Sequence, residues 1–255
     1  MKHEYLPVSL IIPTRNRANQ ILLLLNSLRE STSRCQIIIV DDYSLEPLPD
    51  LRSIFPDLDI TQHRNTSNLG PAASRNTGIA LAHHEIIAFT DDDCCVDENW
   101  LNILYSELSR SDRSVAGLGG RVVPAKSDIV SRYFDYHNIL NPWSDGGRIY
   151  YLVTANCIYK KSAILAVGGF DESIKQAGGE DPGLGFKLLS NGFRLGYTPT
   201  AIVKHSFRRG LIAFYETFRK YGFGCCQQSR KHYTEQPKLG IGFAGARNTP
   251  SDTYD

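Results

Sequence analysis

Four short runs rich in β-branched residues, Val8–Ile12, Ile37–Val40, Leu58–Thr61 and Ile86–Phe89, recur through the first part of the chain with helical patterns between them. A chain that passes repeatedly from strand to helix and back builds βαβ units, and these assemble into a parallel sheet covered by helices. Between the first two runs, Ile21, Leu22, Leu24, Leu25 and Leu28 fall on one helical face. A second helix is expected from Pro71, a residue suited to a first turn, carrying Ala72, Ala73, Ile79 and Ala80. A third follows Trp100 through Leu101, Leu104 and Leu108. The fold class is therefore α/β with a mostly parallel central sheet flanked by helices.

Beyond Val115 glycine breaks the rhythm. The stretches VAGLGGRVV and TANCIYKK read as strands, and FDYHNILNPWSDGGRIYY reads as a long loop. EDPGLGFKLLSNGF resumes a helix, with Asn191-Gly192 as its C-terminal cap. LIAFYETFRKYGFGCCQQSRKHY reads as a C-terminal amphipathic helix, and residues 236–255 as a loose tail. The 255-residue length fits one main domain over residues 1–235, with a mixed region from about 121 packed on the first 120.

A formal net charge of +1 gives no global field to attract nucleic acid or anionic lipid, so any phosphate recognition must be local. Six cysteines occur without a C-x-x-C pair, which reads most simply as a reduced, cytoplasmic environment. No window approaches the length of a membrane span, and the N-terminal apolar run breaks at Pro13, too soon for a signal-peptide core. The last helix, with Phe214, Phe218, Tyr221, Arg219 and Lys220, suits either peripheral contact with the inner membrane face or simple core packing.

In an open parallel sheet, ligands sit beyond the carboxyl ends of the strands. Three of the four early runs end there in polar residues: PTRNR, DDYS and TDDD. Strand alternation is expected to point Asp91 and Asp93 one way and Asp92 the other. Carboxylates held together repel one another unless a hard cation such as Mg²⁺ or Mn²⁺ compensates them, the alternative being a solvated acidic loop. Arg75 on its helix and the Asn68-Leu69-Gly70 turn suit diphosphate oxygens. By themselves these residues, like Arg15 and Arg17, also fit an ordinary loop with surface arginines. Glu180 and Asp181 stand at a helix start, where capping is the plain reading. His205 follows a short apolar run, free to ligate a metal or to be structural. Cys94 and Cys95 read as packing.

Taken together and in order over about Pro7 to Phe207, these segments resemble the inverting glycosyltransferases of family 2. That resemblance implies the GT-A fold, a Rossmann-like nucleotide-sugar-binding half (about 5–120) joined to an acceptor-binding half (about 121–235). NLGPAASRNTGIA is similar to the family's N-x-G-x-x-x-A-R-N-x-G segment, FTDDDCCVDENWL to its D-x-D motif and following Trp-Leu, and GGEDPGLGFKLL to the segment carrying its base. By the same resemblance, Pro13, Thr14, Arg15 and Asp42 meet the nucleotide, with UDP the commonest, while Asn68, Gly70 and Arg75 lie near the diphosphate. Asp91 or Asp92 meets the ribose or the metal's water shell, Asp93 ligates Mn²⁺ or Mg²⁺ with His205 as a second ligand, and Asp181 is the general base. Glu180 and Trp143 are assigned to the acceptor, a hydroxyl-bearing saccharide, lipid-linked or small molecule. Pro182 and Lys187 depart from the family's E-D-x-x-L-x-x-R-L pattern, and the Q-x-x-R-W motif of processive synthases is absent. The alternative is a non-catalytic nucleotide-sugar-binding or scaffold protein. No G-x-G-x-x-G follows the first strand, which argues against an NAD-dependent enzyme.

Overall fold

A computed structural model describes residues 4–142, 144–145, 147–207 and 210–231, so Trp143 and the tail lie outside the described residues. The first part of the chain runs β1 (Glu4–Thr14), α1 (Ala18–Glu30), β2 (Ser33–Asp41), α2 (Leu51–Ile54), β3 (Asp59–Arg64), α3 (Pro71–Leu81), β4 (Ile86–Phe89), β5 (Cys94–Val96) and α4 (Trp100–Arg110). It continues β6 (Val115–Pro124), α5 (Ile129–Tyr136), β7 (Ser144–Asp145), β8 (Arg148–Ile149), β9 (Cys157–Lys160), α6 (Lys161–Ala166), α7 (Glu180–Ser190), β10 (Arg194–His205) and α8 (Leu211–Lys231).

Eight strands form one sheet in the order β3-β2-β1-β4-β9-β6-β10-β5. The pairs β3–β2, β2–β1, β1–β4 and β6–β10 are parallel, while β9 runs antiparallel to both its neighbours and β5 antiparallel to β10. The chain builds outward from β1 to β3, then returns to place β4 on the other side of β1. That reversal opens a crevice at the carboxyl ends of β1 and β4, where α/β sheets bind their ligands. Register carries more residues to the same edge. Thr14 stands beside Asp41, Phe89 pairs with Cys157 at the start of antiparallel β9, and His205 pairs with Cys94.

Both faces of the sheet are covered, which is why β1 and β2 read as nearly unbroken apolar runs. Leu10 and Ile12 join Ile21, Leu24, Leu25 and Trp100 on one face; Ile11 joins Ile79, Phe89, Tyr159 and Leu188 on the other. A β-carbon at Gly78 would overlap the Ile11 side chain, so only glycine lets α3 lie this close to β1. Fully burying each such aliphatic side chain stabilises the fold by about 1.5–3 kcal/mol.

The segment expected to be one long loop instead contains the end of α5 and the β7–β8 ribbon. Asp128 accepts a hydrogen bond from the Ser131 N–H at 3.1 Å and so starts α5, while Gly147 at φ 79° turns the ribbon. The short apolar run before His205 is the end of a twelve-residue strand, β10, which alternates irregularly because its register shifts between Thr198 and Ile202. No described helix is long and apolar enough to cross a membrane. On α8, Phe214 and Phe218 pack against Tyr133, with ring centroids 5.1 and 5.9 Å away.

Candidate active site

β4 ends at Phe89, and the next residues form a turn closed by the Cys94 N–H donating to the Asp91 carbonyl at 3.1 Å. The alternation expected of the three aspartates therefore does not operate. Asp92 and Asp93 turn together toward Arg17, whose Nη1 lies 2.6 Å from Asp92 Oδ1 and 2.5 Å from Asp93 Oδ2. Asp91 instead accepts from Arg75 Nη2 at 3.0 Å. The three adjacent charges are thus matched by cations of the chain itself. Asp92 also accepts from Thr14 Oγ1 at 2.7 Å, and burial together with the Asp93 charge pushes it up to about 6 despite Arg17. Burial acts on Asp93 in the same sense, yet His205 and Arg17 outweigh it and hold that carboxyl well below the usual range.

His205 Nε2 sits 3.0 Å from Asp93 Oδ1. Burial opposes a charged imidazole there, but the Asp93 contact prevails and raises His205 above its ordinary value. Its Nδ1 is buried without a partner among the described residues. Ligand atoms of Asp93, Cys94 and His205 all lie within 4.8 Å of one another. A carboxylate oxygen and an imidazole nitrogen this close, one with an orphaned buried atom, fit a divalent ion. Cys94, read from sequence as packing, is buried; its thiol is driven well above the usual value by that burial.

Across the cleft, Gly178 and Gly179 at φ 102° and 105° turn the chain into α7. Glu180 Oε2 accepts from the Gly178 N–H at 2.6 Å, and its Oε1 accepts from Arg75 Nη1 at 3.0 Å. Arg75, only 4% exposed, therefore bridges Asp91 of the first half and Glu180 of the second, with Phe170 beneath its guanidinium. Asp181 Oδ2 accepts from the Thr154 N–H at 3.0 Å and from Thr154 Oγ1 at 3.3 Å; Oδ1 is buried with no partner among the described residues. Burial first, then the neighbouring Glu180 charge, lifts Asp181 to about 7. The backbone of Gly224 on α8 rests directly on Gly178, leaving no room for a side chain.

One cleft of about 800 Å³ contains both ends of this arrangement. Every residue assigned from sequence to nucleotide, metal or base lines it: Pro13, Thr14, Arg15, Asp42, Asn68, Gly70, Arg75, the three aspartates, His205 and Asp181, with Glu180 beside them. Asp42 accepts from the N–H groups of Leu69 and Gly70, each at 2.8 Å, and from Asn65 Nδ2 at 2.9 Å, so its carboxylate folds the 65–70 loop. Lys187 donates to the Gly169 carbonyl at 2.9 Å. Sequence reasoning missed Thr154, which only the antiparallel placement of β9 brings to this edge, and the inner face of α8, where Phe214, Tyr221 and Cys225 line the cleft.

The topology, the acidic turn and the opposed carboxylate together define the GT-A class of glycosyltransferase fold. The sequence profile described as glycosyl transferase family 2 matches residues 9–167, and the chain belongs to that family. A pre-mycofactocin glycosyltransferase of Mycobacterium tuberculosis is 32% identical over 244 residues, covering 92% of this chain and 50% of the relative. The chain thus spans about half that relative's length. A glucosyl-dolichyl phosphate glucuronosyltransferase of Haloferax volcanii is 27% identical, over 56% of this chain and 48% of its own. Among solved structures, the mannosyltransferase PcManGT of Pyrobaculum calidifontis, in complex with GDP-Man and Mn²⁺, superposes with a TM-score of 0.69 at 22% identity, covering 89% of this chain and 64% of that one. TarS of S. aureus gives 0.65 at 19%, over 94% and 44%.

Proposed function

We propose that the protein is a metal-dependent inverting glycosyltransferase that moves one sugar from a nucleoside-diphosphate sugar to an acceptor hydroxyl in a single displacement. The observation that carries this reading is the state of Asp181, which lines the same cleft as Asp93: one oxygen is fixed by Thr154 and the other is buried without a partner among the described residues. Through Oδ1, Asp181 takes the acceptor proton as that oxygen attacks the anomeric carbon and the nucleoside diphosphate leaves, so configuration inverts. A carboxyl held near neutrality is suited to this task. Arg75 keeps Glu180 and the Asp181 helix aligned with Asp91. Asp93 and His205 would hold a Mn²⁺ or Mg²⁺ ion, which supplies neutralisation of charge on the departing diphosphate.

Support for a nucleotide-sugar donor comes from the neighbours, whose solved forms carry GDP-Man, UDP or UDP-GlcNAc. The N-terminal turns of α8 leave Leu211, Ile212 and Tyr215 between 65% and 84% exposed beside the cleft mouth, which suits a lipid-linked acceptor and peripheral contact with a membrane. A scaffold without activity has no use for a buried, half-satisfied carboxylate. The test is release of nucleoside diphosphate from a panel of UDP- and GDP-sugars with Mn²⁺, comparing wild type with Asp181→Asn. Turnover lost in the variant, with Mn²⁺-dependent donor binding kept, supports the reading. Turnover retained within tenfold refutes Asp181 as the base, and donor binding without turnover in both proteins favours the scaffold.

A further inference from the structure

Arg17 belongs to the PTRNR segment, and its backbone starts α1, the carbonyl accepting from the Ile21 N–H at 3.1 Å. Its side chain, 22% exposed, reaches across the cleft floor to place one nitrogen between Asp92 and Asp93. Burial works against a charged guanidinium here, but the two carboxylates dominate and raise Arg17 above its already high ordinary value, so it stays cationic at every working pH. The Asp93 oxygen it holds belongs to the residue that also meets His205 and falls in the donor cluster. A divalent ion and this guanidinium therefore want the same carboxylate.

Resting on the reading of Asp93 and His205 as the ion's ligands, we propose that Arg17 is an exchangeable counter-cation. In the cation-free cleft it neutralises Asp92 and Asp93 and keeps the turn from repelling itself open. Entry of the ion displaces it from Asp93, and the freed guanidinium turns to the incoming diphosphate, for whose oxygens its fork is suited. Arg17 then links two events: the ion is held weakly without nucleotide and firmly with it. The apparent affinity for the bare ion is lowered by the fraction of molecules in which Arg17 occupies the site.

Two binding measurements decide this without relying on turnover: Mn²⁺ binding to the nucleotide-free protein, by titration calorimetry or by the free-Mn²⁺ resonance signal, and UDP or GDP binding at saturating Mn²⁺. Asp93→Asn comes first, since undiminished Mn²⁺ binding in that variant refutes the ligand assignment itself. With that assignment intact, Arg17→Gln is expected to bind bare Mn²⁺ roughly tenfold more tightly and the nucleotide roughly tenfold more weakly, two changes of opposite sign. A purely structural arginine predicts that both affinities fall, and one that merely repels the ion without moving predicts tighter Mn²⁺ with unchanged nucleotide binding; either result overturns the proposal. Arg17→Lys keeps the charge but cannot fork, and it reads the same pair of signs at smaller size if the glutamine variant fails to fold.

Discussion

The Asp181 carboxylate is anchored to Thr154 through a single oxygen, 3.0 Å from the backbone N–H, while its second oxygen is buried without a partner among the described residues. Held at about 7, the group must lose its proton to act as a base, so transfer should rise tenfold per pH unit below that value and level off above it. The pH–rate profile of kcat/KM measures this. Asp181→Asn should lie about 10²–10⁴-fold lower and lose the rising limb.

The same group makes a stability prediction of opposite sense. Its folded value lies above the usual carboxylate value, so the native state binds the proton more tightly than the unfolded chain does. That contribution is fully present below about pH 4 and is lost progressively as pH rises to about 7. Relative to wild type, Asp181→Asn should therefore gain stability between those limits, by on the order of 4 kcal/mol at most, and hold the gain at higher pH. Thermal melts of both proteins at pH 4, 6 and 8 check it.

Arg75 is the sole cation touching both Asp91 and Glu180 among the described residues. Removing one member of a buried pair strands the others, at a cost of about 3–5 kcal/mol. Arg75→Met should show that loss in urea unfolding. Arg75→Lys should recover part of it, because one ammonium cannot span both carboxylates as a fork does.

If Asp93 holds the ion, then UDP or GDP with Mn²⁺ at a hundredfold excess over Kd should raise the melting temperature by about 5–10 °C, and Asp93→Asn should abolish the Mn²⁺-dependent part. His205→Ala should weaken the same response without removing it. Differential scanning fluorimetry with and without chelator gives the readout.

On α8, Ile212→Glu with Tyr215→Glu places charge on two exposed apolar positions that do not line the cleft. Sedimentation with anionic vesicles should fall about tenfold while donor hydrolysis stays unchanged. Equal sedimentation of both proteins would dismiss the membrane contact.

Much of this was readable in the chain because local chemistry and fold agree there. Helices α1, α3 and α4 begin and end close to their apolar periodicity, whereas the short α2 is not among the expected helices, and the polar residues after β1, β2 and β4 converge as an open parallel sheet requires. What the chain does not show is where a strand stops and which distant segments meet. Strand alternation predicts opposite directions for neighbouring aspartates at Asp91–Asp93, but the strand stops at Phe89 and a turn resets every direction. Thr154 carries no local signal, since its role arises from β9 threading antiparallel between β4 and β6. Asp42 reads as a ligand-facing carboxylate, yet its oxygens accept from the N–H groups of Leu69 and Gly70, a contact across two loops 27 and 28 residues apart that sequence spacing does not reveal.

Gly224 meets Gly178 main chain to main chain, with no side chain as cushion. Such a joint cannot be adjusted by swapping rotamers, so α8 is pinned to the turn that carries Glu180 and Asp181. If α8 faces the acceptor, a change of its cleft-lining side chains, Phe214, Tyr221 and Cys225 among them, can recut the mould while this main-chain joint stays as it is.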